Sequence, residues 1–315
     1  MDVVTLGEAL IGLDSGGRRL SSAHTLEKSV AGAESNTVIG LSRLGHRTAF
    51  IGRVGADPLG EEIERTLRGE GVDVTHLVRD EHRPTALLLK ERRGGAAVSV
   101  HYYRAGAAGS ALDVADVASA AIAGARVLHV TGITSALGEA PRRAVRHAVQ
   151  VARGAGVTVS LDANFRYKLA TPTQLVAQFE DIVGLADHVL LSWTDAVTCA
   201  GTEDPALVHA YASNLGRPVT VLKGPRGGAT AYQGGVATAE VEPFPVDVVD
   251  PVGAGDGFAV GYLHRVLEHA TVPSCLSTGV WVAAQAVAHL GDYAGLPSRE
   301  ELEVGLRATE PVVAR

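Results

Sequence analysis

The chain has 315 residues, with 28 basic and 35 acidic side chains and a formal net charge of −7. Apolar residues make up 46% and charged residues 20%, which excludes a disordered chain and leaves ample material for a core. The acidic balance and an aromatic content of only 4% speak against a nucleic-acid partner. The 37 glycines are well above the usual ~7%, as in α/β proteins whose loops approach a ligand closely.

The N-terminal run MDVVTLGEAL has neither a basic region nor a cleavage site, and no apolar stretch reaches about 18 residues. A cytoplasmic protein without a membrane partner is therefore expected. Cys199 and Cys275 form no metal-binding spacing and are read as free thiols in a reducing compartment.

Along the chain, apolar strand-like runs at 3–6, 48–51, 127–130, 157–161, 189–191 and 219–222 alternate with helical patterns. The helices are expected at 36–44, 58–70, 141–153, 172–183, 205–214, 255–268 and 277–290. In the second of these Leu59, Ile63 and Leu67 share a face, with Asp57 as N-cap and Pro58 at the first helical position. Two segments break the rhythm. Residues 13–30 are polar, and residues 75–106 alternate, with a hairpin of 85–90 and 98–103 around Gly94–Gly95. The pattern predicts one α/β domain over 1–315: a mostly parallel sheet between helical layers, with a small β lid from about 13–30 and 75–106 inserted in the core.

The densest chemical signal is Asp250–Phe258, DPVGAGDGF, opening a helix. The amides of Gly253, Ala254 and Gly255 would lie at that helix's N-terminus, where unpaired N–H groups and the helix dipole favour an anion. Asp256 in the same place either caps the helix or accepts a proton from a hydroxyl that attacks a phosphoryl group held by those amides.

At these residues the sequence resembles the ribokinase-like (PfkB) carbohydrate kinases, whose signature is D-T-x-G-A-G-D; Pro251 stands where the signature has Thr. The resemblance extends to Ala31-Gly32-Ala33-Glu34-Ser35-Asn36, against G-G-x-x-x-N, and to Gly55-Ala56-Asp57-Pro58-Leu59-Gly60, against G-x-D-x-x-G. It implies a ribokinase-like three-layer α/β/α fold, ATP and Mg²⁺ as cofactors, Asp256 as catalytic base and Gly253–Gly255 as anion hole. Lys223-Gly224-Pro225-Arg226-Gly227-Gly228 is similar to the family's nucleotide-site turn, which places Lys223, Gly224 and Gly227 at the cofactor together with Asn164 and Ser192. Asp195, in the place of the family's N-x-x-E glutamate, either holds Mg²⁺ through water or caps a helix. A homo-oligomer is implied as well. There is no Walker, zincin, hydrolase-elbow or dinucleotide motif.

Two basic–aromatic clusters bear on the substrate: Tyr102-Tyr103-Arg104 at the end of the lid hairpin, and Asp162-Ala163-Asn164-Phe165-Arg166 at the carboxyl end of a strand. Each arginine can offer paired donors to a carboxylate, which a neutral sugar does not need. The clusters resemble the branch that phosphorylates 2-keto-3-deoxygluconate. That resemblance implies sugar-acid contacts from Gly32, Asn36, Tyr102, Arg104, Arg166, Asp256 and Asp292. The branch's first lid tyrosine is replaced by Leu88, and Ala107-Ala108 stands in place of its Ser-Ala. A fructokinase or other neutral-sugar or nucleoside kinase is the alternative, and a non-catalytic sugar-binding protein a more distant one.

Overall fold

The computed structural model describes residues 1–92 and 98–309; the expected Gly94–Gly95 turn lies outside them. In chain order the elements are β1 (Val3–Gly7), β2 (Leu10–Asp14), β3 (Glu27–Ala31), α1 (Ala33–Arg43), β4 (Thr48–Gly55), α2 (Pro58–Gly69), β5 (Leu77–Asp80), β6 (Leu87–Arg92) and β7 (Val98–Tyr103). Then follow α3 (Ser119–Ala123), β8 (Val127–Thr131), α4 (Gly132–Ala136), α5 (Glu139–Gly154), β9 (Thr158–Asp162), α6 (Pro172–Val183), β10 (His188–Ser192), α7 (Trp193–Ala200) and α8 (Pro205–Asn214). The last of the described elements are β11 (Val219–Lys223), β12 (Ala229–Gln233), β13 (Val236–Val241), α9 (Ala254–Leu267), α10 (Val272–Val287) and α11 (Arg299–Thr309).

Nine strands form one sheet in the order β13-β12-β11-β10-β9-β8-β1-β4-β5, parallel from β11 to β5, with β12 and β13 antiparallel at one edge. Its inner strands are apolar on both faces because both are covered. Successive residues point to opposite sides. Val4, Leu191 and Leu222 join the core under α5, α6 and α8, while Val3, Leu190 and Val221 join the one under α9 and α10. The three-layer α/β/α arrangement follows from that alternation.

The second sheet, β3-β2-β6-β7, is the lid, with β2 and β6 parallel and the outer pairs antiparallel. Its cleft-side face carries Leu10, Ala31, Leu88, Val100 and Tyr102. The lid's bounds differ from those expected. It begins at Leu10, since β2 follows β1 after two residues, and Leu77–Asp80 pairs in parallel with β4 at the edge of the large sheet. A four-residue strand of sequence LVRD carries too little apolar pattern to be told from lid sequence.

Helix boundaries follow their caps. The Asp57 carboxylate accepts from the Leu59 and Gly60 amides at 3.0 and 2.9 Å, and also from the amide and hydroxyl of Thr85, both at 2.8 Å. It therefore caps α2 and ties the strand entering the lid to it. Gly60 permits this join, because a Cβ there would lie 2.1 Å from the Gly55 carbonyl oxygen. α10 starts five residues before the expected 277, since Thr271 takes the N-cap position and Pro273 sits in its first turn. α11 was not expected, although Ser298 and Glu301 bond each other's backbone amides as a reciprocal cap. Among the described residues no helix is long and apolar enough to cross a membrane.

Candidate active site

A cleft of about 930 Å³ lies between the lid and the carboxyl ends of β9, β10 and β11, where open parallel sheets place their ligands. Its floor is the start of α9. Gly253 is the N-cap residue with φ +87°, and a Cβ on it would come within 2.5 Å of the Asp292 carbonyl oxygen, so only glycine is accommodated. The next amides belong to the first helical turn and have no intrahelical acceptor. Gly253, Ala254, Gly255 and Asp256 all line the cleft.

Asp256 does not cap its helix. Its Oδ2 accepts from Asn36 Nδ2 at 2.8 Å, across 220 residues of sequence. Burial pushes its carboxyl up to about 7; the Asp162 and Asp292 charges add to this, while the Asn36 hydrogen bond and the Arg166 guanidinium oppose it. A carboxylate poised there is suited to take a hydroxyl proton near neutral pH. Asn36 is itself held in the first turns of α1. Its neighbour Glu34 accepts from the hydroxyls of Thr131 and Thr134 at 2.7 and 2.6 Å, pinning α1 to β8 and α4. Asn36 Oδ1 is buried with no partner among the described residues, an acceptor that a ligand hydroxyl could satisfy.

Beside this floor, Lys223 at the end of β11 bonds Asp162 at the end of β9 at 2.7 Å. Lys223 Nζ also lies 3.8 Å from the point a Cβ on Gly255 would occupy, so its charge stands beside the amide cradle. Gly224 and Gly227 line the cleft from the tight turn between β11 and β12, where the Gly224 amide donates to the Gly228 carbonyl at 2.7 Å and Gly227 has φ +101°. Asn164, in the left-handed region at φ 40°, turns the chain after β9 into the same space.

Ser192 and Asp195 form the reciprocal cap of α7, and Asp195 Oδ1 also accepts from the Phe165 amide at 3.3 Å. The capping role expected as one alternative for Asp195 is thus present, yet its carboxylate also lines the cleft. Burial, then the Asp162 charge, pushes the Asp195 carboxyl above its ordinary range. Asp162 Oδ1 is buried without a hydrogen-bond partner among the described residues. Two crowded carboxylates with an orphaned oxygen suit a hard divalent cation that keeps most of its waters.

The remaining expected residues divide. Arg166 is exposed within the cleft, and among the described residues it has no ion-pair partner. Tyr102 lines the cleft from the lid. Arg104 stands behind it, buried, with its guanidinium 4.3 Å from the Tyr102 ring centroid and paired to Glu8 at 2.9 Å. Burial pushes the Glu8 carboxyl up to about 7, against the pull of Arg104. Gly32, with φ +137°, forms the N-cap of α1, where a Cβ would meet the Glu8 carbonyl oxygen at 2.4 Å. Asp292 does not line the cleft; its carboxylate pairs with Lys90 of the lid. Sequence reasoning missed Asp162, Glu8 and Lys90 as site neighbours. Only the first carried a signal, its place at a strand's carboxyl end.

Unpaired helix N-terminal amides, a buried carboxyl raised towards neutrality beside them, and two crowded carboxylates are the groups that a phosphotransferase cleft requires. The chain belongs to the pfkB family of carbohydrate kinases, which matches residues 1–299. It is 36% identical over 319 residues to the 2-dehydro-3-deoxygluconokinase of Bacillus subtilis (strain 168), covering 99% of this chain and 97% of that protein. It is 31% identical to the 2-dehydro-3-deoxygalactonokinase of Haloferax volcanii, covering 100% and 99% of the two chains. Among solved structures, a PfkB protein from Polaromonas sp. JS666 superposes with a TM-score of 0.87 at 34% identity, over 96% of this chain and 99% of that one.

Proposed function

We propose that this carbohydrate kinase transfers the γ-phosphoryl group of ATP to the 6-hydroxyl of 2-keto-3-deoxygluconate, giving the 6-phosphate and ADP. The observation that carries the choice of a sugar acid is Arg166. It is an exposed guanidinium inside the cleft, within electrostatic reach of Asp256 and with no carboxylate of the described residues paired to it. Such a group binds a carboxylate through two parallel hydrogen bonds, which a neutral hexose cannot offer. The names of the relatives from Bacillus subtilis and Haloferax volcanii support the same substrate class.

In this reading the sugar hydroxyl approaches Asp256, whose carboxylate takes the proton as the hydroxyl oxygen bonds to phosphorus and the bond to the departing ADP oxygen breaks. The amides following Gly253 receive the equatorial oxygens, on which charge develops, without reorganising. Lys223 contributes positive charge beside them. Asp162 and Asp195 are the residues that would hold Mg²⁺, which offsets phosphate charge when bound. Tyr102 and the lid strands exclude water from the transfer.

The test is ADP release by the purified protein with Mg-ATP and a panel of 2-keto-3-deoxygluconate, 2-keto-3-deoxygalactonate, fructose, ribose, gluconate and adenosine. Turnover with the keto-deoxy acids alone is expected, fastest with the gluconate form. Turnover led by fructose, ribose or adenosine would overturn the sugar-acid reading.

A further inference from the structure

Lys90 is the one lid lysine that the sequence places in an ordinary basic run, KERR, yet its side chain is only 3% exposed. It sits on β6 opposite Val100 of β7, on the cleft-side face of the lid. Its ammonium pairs with Asp292 and stands 3.6 Å from Asp250 Oδ2. Asp250 is fully buried and Asp292 nearly so.

Both carboxylates belong to loops that shape the anion cradle. The other oxygen of Asp250 accepts from the Val252 amide at 3.1 Å, one residue before Gly253. The Asp292 backbone is packed so closely on Gly253 that its carbonyl excludes any side chain there. Two acids buried together repel, and neither keeps its charge cheaply without a cation between them. A lysine on the lid supplies that cation to both.

We propose that Lys90 is a positioning residue for phosphoryl transfer: its ammonium is the shared counter-charge of Asp250 and Asp292, and by joining the lid to both loops it sets the geometry of the Gly253–Gly255 amides. The inference rests on the reading of those amides as the phosphoryl cradle and not on the identity of the sugar. Lys90 touches no reacting atom, so its loss acts on kcat while sugar and ATP binding persist. A small side chain in its place leaves a cation-sized space between two carboxylates, which a small amine from solution can fill.

The experiment compares wild type, Lys90→Ala and Lys90→Met with whichever sugar the wild type turns over fastest, so failure of the substrate assignment shows in the wild-type panel alone. The expected result is a fall in kcat of about 30-fold in both variants, with each KM changed less than about threefold. Methylammonium at constant ionic strength restores Lys90→Ala saturably, by about tenfold. It leaves Lys90→Met, whose side chain fills the space, and the wild type unchanged; tetramethylammonium, too large to enter, restores neither. Wild-type kcat in folded Lys90→Met would overturn the proposal. So would a Lys90→Ala loss confined to KM, or one that methylammonium does not relieve. If the single variants fail to fold, Lys90→Met combined with Asp292→Asn removes one charge of each sign. The proposal then expects a folded protein with kcat still depressed, and full kcat in that double variant would end it.

Discussion

The two walls of the cleft are built by different means. The core wall is set by the main chain: Gly253 in a left-handed turn, the first amides of α9, and side chains at the ends of three parallel strands. These positions rest on the sheet and on buried helices, and the first amides of α9 also on the loops that Lys90 pairs with. The lid wall is held by side chains that cross between lid and core: Lys90 to Asp292 and Arg104 to Glu8 from the lid, and Lys168 to the Val100 carbonyl from the core. Groups that must stabilise developing charge within tenths of an ångström therefore sit on the first wall. The groups that shut out water sit on the second, while Arg166 reaches into the cleft from the loop after β9 on the first. A lid fastened by a few ion pairs can move where a parallel sheet cannot.

Four substitutions put that division to the test. Asp256→Asn keeps the shape of the core wall and removes its base, so kcat falls by about 10³-fold while calorimetry finds ATP binding nearly intact. Turnover that survives unchanged would show that the proton goes elsewhere. Arg166→Ala separates binding from chemistry: kcat/KM for the sugar acid drops about 30-fold, mostly in KM, with little effect on any neutral sugar that is turned over at all.

Asn36→Ala acts more gently, on the pH profile. The Asn36 hydrogen bond favours the ionised form of Asp256, and even against it burial leaves the carboxyl raised to about 7. Without it the acid returns more readily, and the acidic limb of kcat/KM moves up by about one pH unit. A limb that stays in place or moves down would separate it from Asp256. The smallest effect on catalysis is expected from Asp57→Ala. It loses a helix cap and the tie to Thr85, so chemical denaturation shows a loss of about 2 kcal/mol, while kcat changes less than about twofold, since no atom of Asp57 faces the cleft. A large drop in kcat there would mean that the lid's root is coupled to the core wall.

Much of the core wall was legible in the sequence, for the same reason that it is rigid. Buried parallel strands write continuous apolar runs, and a glycine-rich turn before an amphipathic helix names its own geometry, so the sequence alone puts residues 253–256 at a helix N-terminus. The lid was legible as a departure from rhythm, though not in its limits. Leu10 to Asp14 reads as a continuation of the first strand, and Leu77–Asp80 is too short to declare which sheet it joins. The pairings that hold the lid were hidden. Glu8 lies in an apolar stretch and Lys90 in a charged one, and only the fold shows that each meets its partner in a buried place. The reciprocal cap of Ser298 and Glu301 is a local signal that could have announced α11.

The bond between Asn36 and Asp256 has a consequence for synthesis. A ribosome-bound chain can shape its first helix and several strands early, yet the proposed base and its Asn36 partner meet only once the chain is complete as far as α9. Contacts so distant in sequence also form late and slowly in folding. Under the proposed mechanism, fragments and stalled chains that lack α9 transfer no phosphoryl group, because the base enters only with the last third of the chain.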